Sequence, residues 1–257
     1  MTRSRTTSRI ALITGANRGI GRAAALQLAR DGIDSILTYR THREEADEVV
    51  REISAMGRTV AALQLDVAQA STFDAFVMAV RGLLRDTWDR ESLDVLVNNG
   101  GVQVAEPLAQ IIEEGFDRLV DVHFKGVFFL TQKLLPLIGN PGSIVNISSG
   151  TTRFYTPDRA IYSSVKGAVE VLSRYLAHEL GPRGIRVNVI APGAVATDFS
   201  GGLLRSSEQV QKHIASLTPL GRFAVAEDVA GAIGALLSEG NRFVTGQRIE
   251  VSGGIHL

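Results

Sequence analysis

The sequence predicts one α/β domain, a doubly wound parallel sheet of about seven strands with helices on both faces. Three observations carry that expectation. Short continuous apolar runs alternate with segments of helical periodicity along almost the whole chain, the pattern of strands joined by right-handed helical crossovers. The first apolar run leads directly into a glycine turn and then a helix. No Pro/Gly/Ser-rich linker, repeat or charge block divides the 257 residues, and 45% of them are hydrophobic, which suffices for a sizeable core.

Lys+Arg and Asp+Glu balance at 27 each, so neither a nucleic acid nor a membrane surface is expected as a partner. The absence of cysteine excludes disulfides and thiolate metal sites. His42, His178, His213 and His256 show no metal-ligand spacing, so no metal is expected. Residues 1–9 are basic and polar without an apolar signal core, and Ile10–Ile13 is too short for that role. No apolar stretch is long enough to cross a bilayer. The expectation is a cytoplasmic protein with a flexible segment 1–9 before a single domain spanning 10–257.

Ile10–Thr14 is a continuous apolar run, as in a strand buried on both faces. Gly15-Ala-Asn-Arg-Gly-Ile-Gly21 follows, then a helical segment through Arg30 that ends near Gly32. Glycines allow a tight turn and close approach to a ligand, and the helix N-terminus offers free N–H groups to a phosphate. Ser35–Tyr39 predicts a second strand and Thr41–Met56 a charged helix. In dinucleotide folds an acidic residue at this strand end binds the adenosine ribose. Here Tyr39 and Arg40 take its place, and Arg18 sits in the glycine turn. Two guanidinium groups without a carboxylate favour NADP(H), with its 2′-phosphate, while NAD(H) stays open.

Thr59–Leu65 reads as a strand ending at Asp66-Val67, and Ser71–Leu84 as a helix. Leu93–Val97 is a buried-strand run closing on Asn98-Asn-Gly-Gly101. That strand end suits a backbone held close to a ligand, and equally an ordinary Asn-Gly turn. Glu113–Leu137 is long and mostly helical, with Gly126 inside and Pro136 near its end. Ser143–Ile147 predicts a strand before Ser148-Ser149, and Ala160–Leu180 a helix. Tyr162 and Lys166 lie four apart on that helix, hence on one face. A phenol beside an ammonium and a serine hydroxyl suits proton transfer at an oxygen that alternates between carbonyl and alcohol. Ile185–Ile190 is the next strand, leading into Ala191-Pro-Gly-Ala-Val-Ala-Thr197. Asp198–Leu220 shows weak periodicity and reads as a mobile flap. Ala226–Leu237 is a helix and Arg248–Val251 the last strand. The glycine turn, Asp66, Asn98–Gly101, Ser148–Ser149 and Pro192–Thr197 all follow strands, so they converge on one edge, where Rossmann-type sheets bind cofactors.

With these motifs in place, the chain resembles the short-chain dehydrogenases/reductases from Ile10 to its C-terminus. Thr14–Gly21 matches their Thr-Gly-x-x-x-Gly-x-Gly turn, Asp66-Val67 their adenine-binding pair, and Asn98–Gly101 their Asn-Asn-Ala-Gly motif, with Gly100 replacing the alanine. Ser149 stands thirteen residues before Tyr162, the family's usual spacing. The resemblance implies catalysis by Ser149, Tyr162 and Lys166. Tyr162 would protonate a carbonyl oxygen, Lys166 would lower the tyrosine pKa and hold the nicotinamide ribose, and Ser149 would polarise the substrate. It implies cofactor contacts from Gly15, Asn17, Arg18, Gly19, Ile20, Gly21, Tyr39, Arg40, Asp66, Val67, Asn99, Gly100, Pro192, Gly193, Val195 and Thr197. The family's fourth catalytic residue, an asparagine, aligns with His123. His123 suits either a packed helix position or a proton relay, in which the family uses largely the main-chain carbonyl. The resemblance also implies a homo-oligomer, dimer or tetramer, built through the central helices and the last strand.

The expected activity is NADP-dependent reduction of a carbonyl substrate to an alcohol. The rivals are an NAD-dependent alcohol dehydrogenase and a non-catalytic nucleotide-binding protein. A serine hydrolase lacks support, because no Gly-x-Ser-x-Gly elbow occurs. Phe199, Leu203, Leu204, Ile214, Leu217, Phe154 and Tyr155 are candidate apolar contacts for the substrate.

Overall fold

In the computed structural model, which describes residues 8–257, each continuous apolar run forms a strand. These are β1 (Ile10–Ile13), β2 (Asp34–Tyr39), β3 (Val60–Gln64), β4 (Leu93–Asn98), β5 (Ile138–Ile147), β6 (Ile185–Pro192) and β7 (Arg248–Val251). All pairings are parallel, in the order β3-β2-β1-β4-β5-β6-β7. The order reverses between β1 and β4, which opens a crevice beyond their carboxyl ends. Of the expected flexible segment 1–9, residues 1–7 lie outside the described residues. Arg9 is held by donating to the Leu237 carbonyl at 2.9 Å.

The helices are α1 (Gly19–Arg30), α2 (Arg43–Ala55), α3 (Phe73–Trp88), α4 (Glu113–Val120), α5 (Gly126–Leu134), α6 (Ala160–Leu180), α7 (Leu203–Ser206), α8 (Glu208–Leu217) and α9 (Ala226–Leu237). Successive strand residues point to opposite faces, so β1 serves two cores. Ala11 and Ile13 join the layer of α1, α2 and α9, while Ile10 and Leu12 join that of α3, α5 and α6. All four are fully buried, and each Ile or Leu contributes roughly 2 kcal/mol by leaving water.

Two elements depart from expectation, and a third carries more regular structure than its periodicity suggests. β5 begins at Ile138, five residues before Ser143, because Gly139, Pro141 and Gly142 mask the strand in the sequence. Its register against β4 shifts between Leu93 and Val95. The expected helix over Glu113–Leu137 forms, but a π turn at Asp121–Lys125 interrupts its α-helical ladder and its last three residues form a 3₁₀ turn. Within it, a Cβ on Gly126 would overlap the Val67 carbonyl oxygen, so glycine lets the helix press on the loop after β3. The stretch expected as a flap, 198–220, is largely helical. Its weak periodicity reflects two short helices, α7 and α8, with Ser207 capping the second by accepting from Val210 N at 3.3 Å.

Candidate active site

The glycine turn after β1 is braced against the loop after β4. Thr14 Oγ1 accepts from the amides of Asn99 and Gly100 at 2.9 and 2.8 Å. Asn99 Nδ2 donates to the carbonyls of Thr14 and Gly15 at 2.9 and 3.1 Å. The carboxamide expected to face a ribose is therefore engaged in holding the turn. Gly15 and Gly19 adopt φ of 63° and 57°, which disfavours any residue with a Cβ. A Cβ on Gly21 would overlap the Gly15 carbonyl oxygen. The Thr197 side chain comes within 3.6 Å of where a Gly19 Cβ would stand, so the loop after β6 closes over the turn. In that loop Gly193 N donates to Val251 O at 3.0 Å, and Val195 forms a bridge with Ala224.

Beside the carboxyl ends of β2 and β3 lies a cleft of about 600 Å³ lined by Arg40, Thr41, Leu65, Asp66, Gln69 and Phe76. Arg18 and Arg40 are exposed, whereas Tyr39 is buried. Asn17 donates to Glu45 at 2.6 Å, and the Asp66 carboxylate accepts from Ala68 N at 3.0 Å. Ile20 packs on the core behind the turn, and Val67 lies against Gly100. A turn tightened by glycines, a helix N-terminus and the exposed Arg18 and Arg40 together fit a phosphorylated dinucleotide.

Across the crevice, α6 presents Tyr162 and Lys166, both buried, with the Lys166 nitrogen 5.8 Å from the phenol ring centroid. Lys166 Nζ donates to the Ile147 carbonyl, the last of β5, at 2.7 Å. Burial pushes Tyr162 up to about 12, opposed by the Ser149 hydroxyl beside it and by the Arg159 guanidinium. Burial also pushes Lys166 down to about 7. Desolvation dominates both groups, and a lysine near 7 is only partly charged at neutral pH. Ser149 Oγ accepts from Thr151 N at 3.3 Å and Thr151 Oγ1 at 3.0 Å, which leaves its own proton to donate. Ser148, by contrast, turns away and donates to Glu170 at 2.6 Å.

His123 sits in the π turn, 1% exposed, with its ring edge-on to Tyr162 at 5.3 Å between centroids. Its Nε2 lies 2.6 Å from the Val102 carbonyl, which assigns the proton to that nitrogen. Nδ1 is buried without a hydrogen-bond partner among the described residues. Burial first, then the Lys166 charge, holds the imidazole well below its ordinary 6.5 and hence neutral. Among the candidate substrate contacts, the Phe199 ring stands 6.1 Å from Tyr162, and Phe154 packs on His256 at 4.6 Å. Leu204 and Ile214 are half-buried, whereas Leu203, Leu217 and Tyr155 are exposed.

Sequence reasoning assigned no role to Thr14, Arg159, Glu170 or Arg248. Glu170 follows Lys166 by four residues, and Arg248 opens the last strand two residues before Glu250; both were readable signals.

Residues 15–256 match the sequence profile of the enoyl-(acyl carrier protein) reductase family. The chain is 37% identical to the 3-oxoacyl-[acyl-carrier-protein] reductase FabG of Staphylococcus aureus over 249 residues, 96% of this chain and 98% of that protein. It superposes with a TM-score of 0.92 on LugOII, a promiscuous reductase catalysing keto-reduction at C1 in lugdunomycin biosynthesis. That match has 33% identity and covers 99% of this chain and 100% of the other. The angucycline C-6 ketoreductase LanV with bound NADP gives a TM-score of 0.90 at 33% identity, covering 96% of each chain.

Proposed function

The chain belongs to the short-chain dehydrogenase/reductase family of oxidoreductases, and from that premise we propose that it reduces a ketone to a secondary alcohol with NADPH. The observation that carries the reading is the convergence of Ser149, Tyr162 and Lys166 beside a glycine cradle that admits no side chain. NADP(H), when bound, supplies or accepts the hydride. The turn from Gly15 to Gly21 would hold its pyrophosphate, and Arg18 and Arg40 its 2′-phosphate. Tyr39, Asp66 and Val67 would face the adenosine, Gly100 and Lys166 the nicotinamide ribose, and Pro192, Gly193, Val195 and Thr197 the nicotinamide, while Asn99 braces the turn. The bound NADP of LanV supports that choice of cofactor.

Burial keeps Tyr162 protonated at neutral pH, so its resting state is that of an acid ready to protonate a carbonyl oxygen. Ser149 donates to the same oxygen, since Thr151 already occupies its acceptor side. As Tyr162 gives up its proton, the new phenolate favours the ammonium form of Lys166, which offsets the buried negative charge. His123 steadies the phenol ring and the Val102 loop as a neutral side chain. Phe199 offers an apolar wall beside Tyr162, which suits a ketone with an apolar body.

We read the assembly as a homo-oligomer formed through α5 and α6, where Phe128, Phe129, Val171 and Tyr175 are exposed. No helix among the described residues is long and apolar enough to cross a membrane. The test is an absorbance assay of NADPH and NADH oxidation against 3-oxoacyl thioesters, polycyclic aromatic ketones and 2-enoyl thioesters. Ketone-dependent oxidation of NADPH is expected. Cofactor binding without turnover on any ketone would favour a non-catalytic nucleotide-binding protein.

A further inference from the structure

Behind the two serines that follow β5 lies a charged cluster that the proton-transfer chemistry does not use. Glu170 stands four residues beyond Lys166 and eight beyond Tyr162, so one face of α6 carries all three. Glu170 Oε1 accepts from Ser148 Oγ at 2.6 Å and from Arg248 Nε at 2.8 Å, and lies 2.8 Å from Thr152 Oγ1. Arg248 opens β7, donating through Nη1 to Glu250 at 3.0 Å and through Nη2 to the Ser149 main-chain oxygen at 3.3 Å. Thr152 Oγ1 is also 2.9 Å from that oxygen. Its single hydrogen serves one acceptor at a time, so when it turns to Glu170, Arg248 remains to hold the Ser149 carbonyl. The two charged side chains are only 12% and 22% exposed, where ionic hydrogen bonds hold geometry firmly.

We propose that the Glu170–Arg248 pair positions Ser149, fixing the backbone of residues 148–149 so that the Ser149 hydroxyl reaches the substrate oxygen beside Tyr162. The proposal rests on Ser149 as a donor to that oxygen. Arg248 is a positioning residue that acts through the Ser149 carbonyl. Stabilisation of a developing charge depends on donors placed before the reaction, and a shift of about 1 Å costs on the order of a hundredfold in rate. The edge strand β7, remote from the glycine turn, thereby takes part in catalysis.

A double-mutant cycle tests the pair. Ser149→Ala, Arg248→Met and their combination are assayed for kcat and KM in ketone reduction, with NADPH affinity measured separately by fluorescence titration. Ser149→Ala is expected to lower kcat by about a hundredfold or more. Arg248→Met is expected to lower it by about tenfold to a hundredfold, with NADPH affinity unchanged. If Arg248 acts through Ser149, the double variant is as slow as Ser149→Ala alone. Additive losses in a cycle where Ser149→Ala is slow would overturn the positioning role alone. An unchanged kcat in Ser149→Ala would overturn the reading of Ser149, and the positioning role with it. Should Arg248→Met not fold, Arg248→Lys keeps a cation beside Glu170 but lacks the forked donor, and the same cycle applies.

Discussion

Lys166 is a buried cation whose cost should be measurable in the protein without cofactor. Burial lowers its pKa from 10.5 to about 7. At 1.36 kcal/mol per pKa unit, the full difference opposes folding by on the order of 5 kcal/mol below about pH 7. Between the two pKa values the unfolded chain holds the proton more firmly than the native one. Stability therefore rises with pH across that window and falls as pH drops towards 7. From pH 7 to pH 9 the gain from this group is on the order of 2 kcal/mol. Lys166→Met removes the titrating group and fills similar space, so it should abolish that part of the slope. It also strands the Ile147 carbonyl, at about 1–3 kcal/mol, which leaves the variant roughly 2 kcal/mol more stable at pH 7. Urea unfolding of both proteins at pH 7 and pH 9 reads the effect, because every other titrating group is common to the pair. Parallel pH dependence in the two proteins would refute the buried-cation argument.

Two further outcomes follow from the site. Arg40→Ala should weaken NADPH binding tenfold to a hundredfold, as expected from losing about 1.5–3 kcal/mol of charge-assisted contact, and leave NADH nearly unaffected; titration of both cofactors checks this. His123→Asn should keep kcat within about tenfold, roughly 1.4 kcal/mol of barrier, and preserve the pH–rate profile, since the imidazole is held neutral; loss of a limb near neutral pH would show that it carries protons.

Much of the fold was legible because parallel strands buried on both faces leave unbroken apolar runs, as in Ile10–Ile13 and Leu93–Val97. The start of β5 was hidden because Pro141 and its flanking glycines read as a turn, although the backbone still pairs there. The π turn at His123 was not legible, because it is a change in backbone hydrogen bonding over a single turn and the residues around it still read as one helix. In the site, residue identities were readable from motifs but electrostatics were not. The joint desolvation of Tyr162 and Lys166 depends on how deeply α6 seats against β5 and on the Ile147 carbonyl, which no spacing records. Asn99 shows the same limit: its motif was plain, while its engagement with the glycine turn emerged only from the crossing of two loops.

The central claim is that Tyr162 delivers the proton to a carbonyl oxygen. Tyr162→Phe removes that proton and leaves the ring to pack against His123 and Phe199. The direct measurement is single-turnover ketone reduction by the variant with saturating NADPH, alongside NADPH binding to the same preparation. A rate loss of at least about a thousandfold, roughly 4 kcal/mol of barrier, is expected, with binding retained. Reduction at near-normal rate by the phenylalanine variant would contradict it.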